Sequence, residues 1–134
     1  MAESFLVTGS LGCIGAWTVR LLVEEGAQVV SFDAGSDMHR PRLIMSDEQL
    51  AQATWERGDI TDLARLEQVL DQYEITNIIH LAALQMPFCK ANPPLGAAVN
   101  VVGTVNILEA ALRRADRMAP VVYASSLALF SADD

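Results

Sequence analysis

Three glycines at a spacing of three, Gly9, Gly12 and Gly15, stand in residues 5–15 between a short apolar run and a helical pattern, F-L-V-T-G-S-L-G-C-I-G. The chemistry open to such a stretch is anion binding by main-chain dipoles. A strand, a glycine turn and a helix in that order hold the pyrophosphate of a dinucleotide. Gly9 allows a tight turn, Gly12 lets phosphate oxygens approach the backbone, and Gly15 lets the helix pack close to its strand. The first helical turn then presents free N–H groups and the positive end of its dipole to the anion.

A second group stands 18 residues beyond Gly15, where Asp33 ends an apolar run. Roughly 20 residues is the interval expected for the carboxylate that accepts hydrogen bonds from both hydroxyls of an adenosine ribose. It repels a 2′-phosphate, so the pattern favours NAD over NADP. The other reading of Asp33 is a solvated turn residue in Asp33-Ala34-Gly35, and Arg40 and Arg42 keep an NADP option open. His80, at the end of a buried strand, invites a role as catalytic base. A histidine so placed is more often a hydrogen-bonded structural residue, which is the reading favoured for it. Asn100 shares a helix face with Gly103, Thr104 and Ile107, and a mid-helix Asn beside Gly suggests a tertiary partner. Cys13 and Cys89 form no metal or redox spacing, so reduced thiols in a cytoplasmic protein are expected and no metal site is assigned.

The elements that must position these residues follow from hydrophobic periodicity. Strands are expected at about residues 4–8, 28–32, 54–57, 77–81 and 120–124. Helices are expected at about 12–25, 46–52, 61–72 and 92–114, with Ile14, Trp17 and Leu21 along one face of the first. Gly26 should cap that first helix, Ser46 with Gln49 should form a capping box, and Thr61 should cap the third. Residues 35–43, around Pro41, read as loop, as does the segment through Pro87. Leu63, Leu66, Leu70 and Tyr73 form a packing stripe. Helical crossovers between all strands imply an α/β doubly wound parallel sheet in the order 3-2-1-4-5, a Rossmann-like fold with helices on both faces. The 134 residues suffice for one domain, 1–134. A net charge of −8 argues against nucleic acid as a partner. No apolar run is expected to approach the roughly 18 residues that span a bilayer, so no membrane partner is assigned.

Thr8-Gly9-x-x-Gly12-x-x-Gly15, Asp33, Gly58-Asp59-Ile60, His80-Leu81-Ala82-Ala83, Asn100 with Gly103-Thr104, and Tyr123-Ala124-Ser125-Ser126 occur in that order over essentially the whole chain. Together they resemble the extended short-chain dehydrogenase/reductase family, the NAD-dependent sugar epimerases and dehydratases. The resemblance implies that the backbone at Cys13 and Ile14 approaches the pyrophosphate and that Asp33 holds the ribose. It implies that Asp59 and Ile60 border the adenine, while Leu81, Ala82, Ala83 and Asn100 lie along the cofactor. Ser126 falls where the family keeps a hydroxyl that hydrogen-bonds the substrate oxygen undergoing oxidation. The implied substrate is a small molecule, a sugar nucleotide or similar alcohol.

The family's Tyr-x-x-x-Lys pair has no counterpart here. Neither Tyr73 nor Tyr123 is followed four residues later by lysine, and the only lysine is Lys90. The expectation is therefore the cofactor-binding N-terminal part of an enzyme, with later strands and the substrate-binding region absent and little turnover by itself. The alternative is an NAD-binding or assembly module without chemistry. Self-association is expected through an open edge at strand five, helped by residues 127–130.

Overall fold

The computed structural model describes residues 3–126. Five parallel strands, β1 (Ser4–Thr8), β2 (Gln28–Asp33), β3 (Thr54–Arg57), β4 (Asn77–His80) and β5 (Val122–Tyr123), lie in the order β3-β2-β1-β4-β5. This is the doubly wound order expected from the crossovers. Successive residues of a strand face opposite sides, and here both sides are covered. Leu6, Val30, Phe32 and Ile78 pack with Leu66, Leu70 and Ile107 on one face, while Val7 and Val29 pack with Val19, Val23 and Met45 on the other. Each such side chain contributes about 1.5–3 kcal/mol when fully buried.

Helix α1 (Cys13–Glu24) buries Gly15, Ala16, Val19 and Val23. The Ile14–Trp17–Leu21 face named from periodicity is its outer face, with Ile14 67 % exposed. Small residues, not large ones, mark the inner face because the helix lies close to the glycine turn. Gly26 ends α1 at φ +76°, donating to Val23 O, while Ala27 N–H reaches Leu22 O. That pair of bonds is a Schellman motif, which needs a left-handed residue where glycine stands.

Several expectations need correction. Residues 35–43 are not all loop, because α2 (His39–Ile44) forms with Pro41 in its first turn, where a missing N–H costs little. The next helix, α3 (Asp47–Gln52), has the Ser46–Gln49 capping box as expected. Helix α4 (Leu63–Gln72) is capped by Asp62, which accepts from Arg65 N–H, and not by Thr61. Thr61 instead donates through N–H and Oγ1 to Asp59 Oδ1. The segment through Pro87 contains α5 (Met86–Ala91), with proline in its first turn. Strand β5 is shorter than expected, pairing with β4 only at Val122 and Tyr123.

The long helix is continuous from Pro93 to Leu112 but not uniform: α6 (Pro93–Ala97), a π-helical stretch Ala98–Gly103, then α7 (Thr104–Leu112). Asn92 caps it, as the sequence suggested, by accepting from Leu95 N–H. Its 20 residues and mean hydropathy of 1.5 make it long and apolar enough to cross a bilayer, contrary to the expectation that no segment would be. Its inner face is committed to this fold. Ile107 and Ala110 are in the core, and Asn106 Nδ2 donates to Ile60 O at 2.9 Å. Its outer face exposes Val101, Val102, Val105, Leu108 and Leu112.

Candidate functional site

The glycine turn sits at the C-terminal end of β1, where doubly wound sheets open their ligand crevice. Gly9 adopts φ +67°, and a Cβ there would lie 2.7 Å from Ala82 N. Gly15 is closer still to its neighbours, since a Cβ would lie 2.1 Å from Gly9 O. Gly12 is the N-cap of α1 and supplies no side-chain cap, and the first turn of α1 carries no acid. The first N–H groups of α1, at Cys13, Ile14 and Gly15, thus have no side-chain cap and stand at the positive end of the helix dipole. Beneath the turn, the fully buried Ser10 hydroxyl pairs with Ser31 at 2.5 Å.

Asp33 is fixed to this turn. Its Oδ2 accepts from Leu11 N–H at 3.0 Å and its Oδ1 from Gly35 N–H at 2.9 Å. Each oxygen keeps a second lone pair, so the carboxylate can also accept from two vicinal hydroxyls. Arg57 lies opposite Asp33 in the β2–β3 register and donates from Nε to Ala34 O at 3.2 Å. Its guanidinium thus reaches the turn that follows Asp33. Arg40, one of the two arginines named from sequence, lines a hollow of about 680 Å³ with the loop after β4.

The residues after β3 behave differently from one another. Asp59 is exposed and its Oδ1 closes the local turn through Thr61. Ile60 is 4 % exposed, and its side chain packs against Gly103, where a Cβ would lie 2.5 Å from Ile60 Cδ1. Only the main chain of Ile60 can border a ligand.

On the other side of the turn, Leu81, Ala82, Ala83, Asn100 and Ser126 line one cleft of about 520 Å³, together with Tyr123. Five of the residues carried over from the family resemblance thus converge from the loop after β4, the long helix and the segment after β5. Asn100 reaches across to the loop after β4, its Oδ1 accepting from Leu84 N–H at 2.7 Å and its Nδ2 donating to Leu84 O at 3.0 Å. This is the tertiary partner that its mid-helix position suggested. It sits in the π-helical stretch, a distortion that recurs at functional sites.

His80 is 5 % exposed and both its ring nitrogens are engaged. Nδ1 lies 2.7 Å from Thr8 Oγ1 and Nε2 3.1 Å from Thr104 Oγ1. Burial lowers the imidazole pKa below its ordinary value. A ring so saturated has no lone pair to offer as a base, which supports the structural reading of His80. Thr8 and Thr104, its partners, escaped sequence reasoning as site residues. Their signals were adjacency to Gly9 and Gly103 and, for Thr104, a helix face shared with Asn100. Tyr73 is far from the cleft, at the β3 edge, where its hydroxyl donates to Glu56 Oε1 at 2.5 Å.

A family model described as GDP-mannose 4,6 dehydratase matches residues 6–132. UDP-glucuronate 4-epimerase 6 of Arabidopsis thaliana is 33 % identical over 131 residues, covering 95 % of this chain and 28 % of that protein. Among solved structures, L-threonine dehydrogenase of Clostridium difficile superposes with a TM-score of 0.80 at 27 % identity, covering 96 % of this chain and 38 % of that one. UDP-glucose 4-epimerase of Brucella ovis, in complex with NAD, superposes with a TM-score of 0.74 at 30 % identity, covering 95 % and 37 %. The chain spans about a third of the length of these relatives.

Proposed function

The chain belongs to the GDP-mannose 4,6-dehydratase family of NAD-dependent epimerases and dehydratases, and on that premise we propose that it forms the NAD-binding part of such an epimerase, dehydratase or related oxidoreductase. The substrate is a sugar nucleotide or similar alcohol, met in the cytoplasm. The observation that carries this reading is the bond from Leu11 N–H to Asp33 Oδ2. It makes the phosphate cradle and the ribose acceptor one rigid unit, preorganised before any ligand arrives.

NAD supplies an acceptor for the hydride of a substrate carbinol carbon. The chain's own part is binding and orientation. The N–H groups of Cys13, Ile14 and Gly15 face the pyrophosphate, and Gly12 leaves the space for it. Asp33 accepts from the adenosine ribose and disfavours a 2′-phosphate, while Asp59 and the Ile60 main chain border the adenine. Leu81, Ala82 and Ala83 form the wall against which the cofactor lies, and Asn100 holds the loop that continues that wall. Ser126 hydrogen-bonds the substrate oxygen as it becomes a carbonyl. Removal of the hydroxyl proton needs a base of suitable pKa within hydrogen-bond reach. His80 cannot act, since both nitrogens are spent, Tyr73 is bonded to Glu56, and Tyr123, which lines the cleft, lacks the lysine four residues on that the family pairs with its tyrosine. Little turnover is therefore expected from the 134 residues alone.

A second reading, an NAD-holding or assembly module without chemistry, draws on the same absence of a Tyr-x-x-x-Lys pair. A coding sequence that continues past Asp134 into such a pair sinks it. The primary test is calorimetry with NAD and NADP. Saturable NAD binding, weaker NADP binding and a marked loss in Asp33→Ala are expected. Absence of NAD binding by the folded protein overturns the proposal.

A further inference from the structure

The hydrogen bonds around His80 have a direction that can be worked out from proton counts. Thr8 Oγ1 receives Ala82 N–H at 3.3 Å and a share of Leu81 N–H at 3.2 Å, which also donates to Thr8 O at 3.2 Å. Its own proton is left for His80 Nδ1 at 2.7 Å, and the other end of the ring fixes that direction. At the other end, Thr104 Oγ1 gives its proton to Asn100 O at 2.9 Å. It can only accept from His80 Nε2, which must carry the ring's proton. Polarity therefore runs one way, Thr8 to His80, His80 to Thr104, Thr104 to Asn100.

This run joins three elements at the place where they meet the crevice. Thr8 immediately precedes the glycine turn, and His80 is its register partner on β4. The Gly9 α-carbon lies directly against the Ala82 backbone. Asn100, at the far end, clamps Leu84. We propose that His80 is a positioning residue, held as the neutral Nε2–H tautomer, which fixes the glycine turn against Leu81–Ala82 and couples that seam to the Asn100-clamped loop. Its role in cofactor affinity rests on the NAD-binding reading above, whereas the tautomer and the seam do not. The imidazole suits this position because it accepts at one edge and donates at the other across a span that no hydroxyl reaches.

Nitrogen-15 NMR of the histidine-labelled chain at pH 7 tests the tautomer, with the exposed His39 as internal reference. An unprotonated Nδ1 and a protonated Nε2 are expected for His80. An Nδ1–H tautomer, an average of both tautomers or an imidazolium overturns the proposal. Thr104→Val, nearly isosteric, removes the Nε2 acceptor. It should mix the His80 tautomers, speed amide exchange at Leu81 and Ala82, and weaken NAD roughly 5- to 10-fold. Thr104→Ser should restore all three. Unchanged exchange at Leu81 and Ala82 in Thr104→Val refutes the coupling, however the protein treats NAD. Failure of the wild-type chain to bind NAD refutes the functional reading instead, and the spectrum and exchange rates still decide the relay.

Discussion

Gly12 and Gly15 lie three residues apart in one motif, yet the structure assigns them opposite liabilities. A methyl group at Gly15 would be 2.1 Å from Gly9 O and 2.7 Å from Ser10 Cα. Both atoms are main chain, and Ser10 is fully buried and bonded to Ser31, so neither can step aside. Relief requires α1 to move away from the turn, pulling Ala16, Val19 and Val23 from the core. Overpacking of this kind costs about 1–3 kcal/mol, and the rigidity of the neighbours puts Gly15→Ala at the upper end. That is a large part of a domain's usual stability of about 5–15 kcal/mol. At Gly12 the nearest atom is Gly9 O at 3.1 Å, and φ is −72°, which any residue adopts. Gly12→Ala should cost about 1 kcal/mol of stability, since alanine caps poorly and its methyl would press on Gly9 O, but its larger effect is to place a methyl where phosphate oxygens approach, lowering NAD affinity at least tenfold. Gly26→Ala is the control, with φ +76° and nothing within 4 Å, so strain of about 1 kcal/mol and normal NAD binding are expected. Urea denaturation read by tryptophan fluorescence gives the stabilities, and calorimetry gives the affinities. A wild-type denaturation midpoint in Gly15→Ala, or wild-type NAD affinity in Gly12→Ala, refutes the reasoning.

Cys13 is exposed in the first turn of α1, so saturating NAD should slow its alkylation by iodoacetamide, as measured by mass spectrometry. Equal rates with and without NAD place the cofactor elsewhere. Arg57→Ala should leave NAD affinity within about twofold, since its removal spares the Asp33 carboxylate, but reduce any residual NADP binding. An equal loss for both cofactors argues against a 2′-phosphate contact. Asp71 has its pKa lowered to about 2, first by the Arg114 hydrogen bond and then by Arg117. A depressed folded-state pKa stabilises the fold above the unfolded value near 4 and loses that contribution as pH falls toward 2. Wild type should therefore exceed Asp71→Asn in stability at pH 7, with the gap closing in acid, as followed by denaturation at each pH. Val105→Glu, on the apolar outer face of the long helix, should reduce self-association in light scattering. A wild-type chain that is a sharp monomer at micromolar concentration removes that prediction.

Much of this protein could be read from the chain because the relevant physics is local. Strand periodicity, the glycine turn, the Ser46–Gln49 capping box and the Schellman glycine each depend on residues within one turn or strand of one another. Sheet order also followed, because helical crossovers have one permitted hand. The expected help of residues 127–130 in self-association falls on residues outside those described. Periodicity showed that α1 had an apolar face but not which way it pointed. The large residues turned outward because the glycine turn accepts only small ones against it.

The remaining determinants lie between residues far apart in sequence. Thr8 and His80 are 72 residues apart and His80 and Thr104 24 apart, yet they share one hydrogen-bonded run. Asn100 could be suspected of a tertiary partner but not matched to Leu84. Ile60 could be named from the resemblance, but the packing of its side chain against Gly103 could not be read from the chain. The sequence alone determined the order of elements and the chemistry available at the strand ends, through steric and hydrogen-bonding rules that act over a few residues. Only the folded sheet decided which of those groups still have lone pairs and protons to give, because that depends on which partners close packing brings within 3 Å.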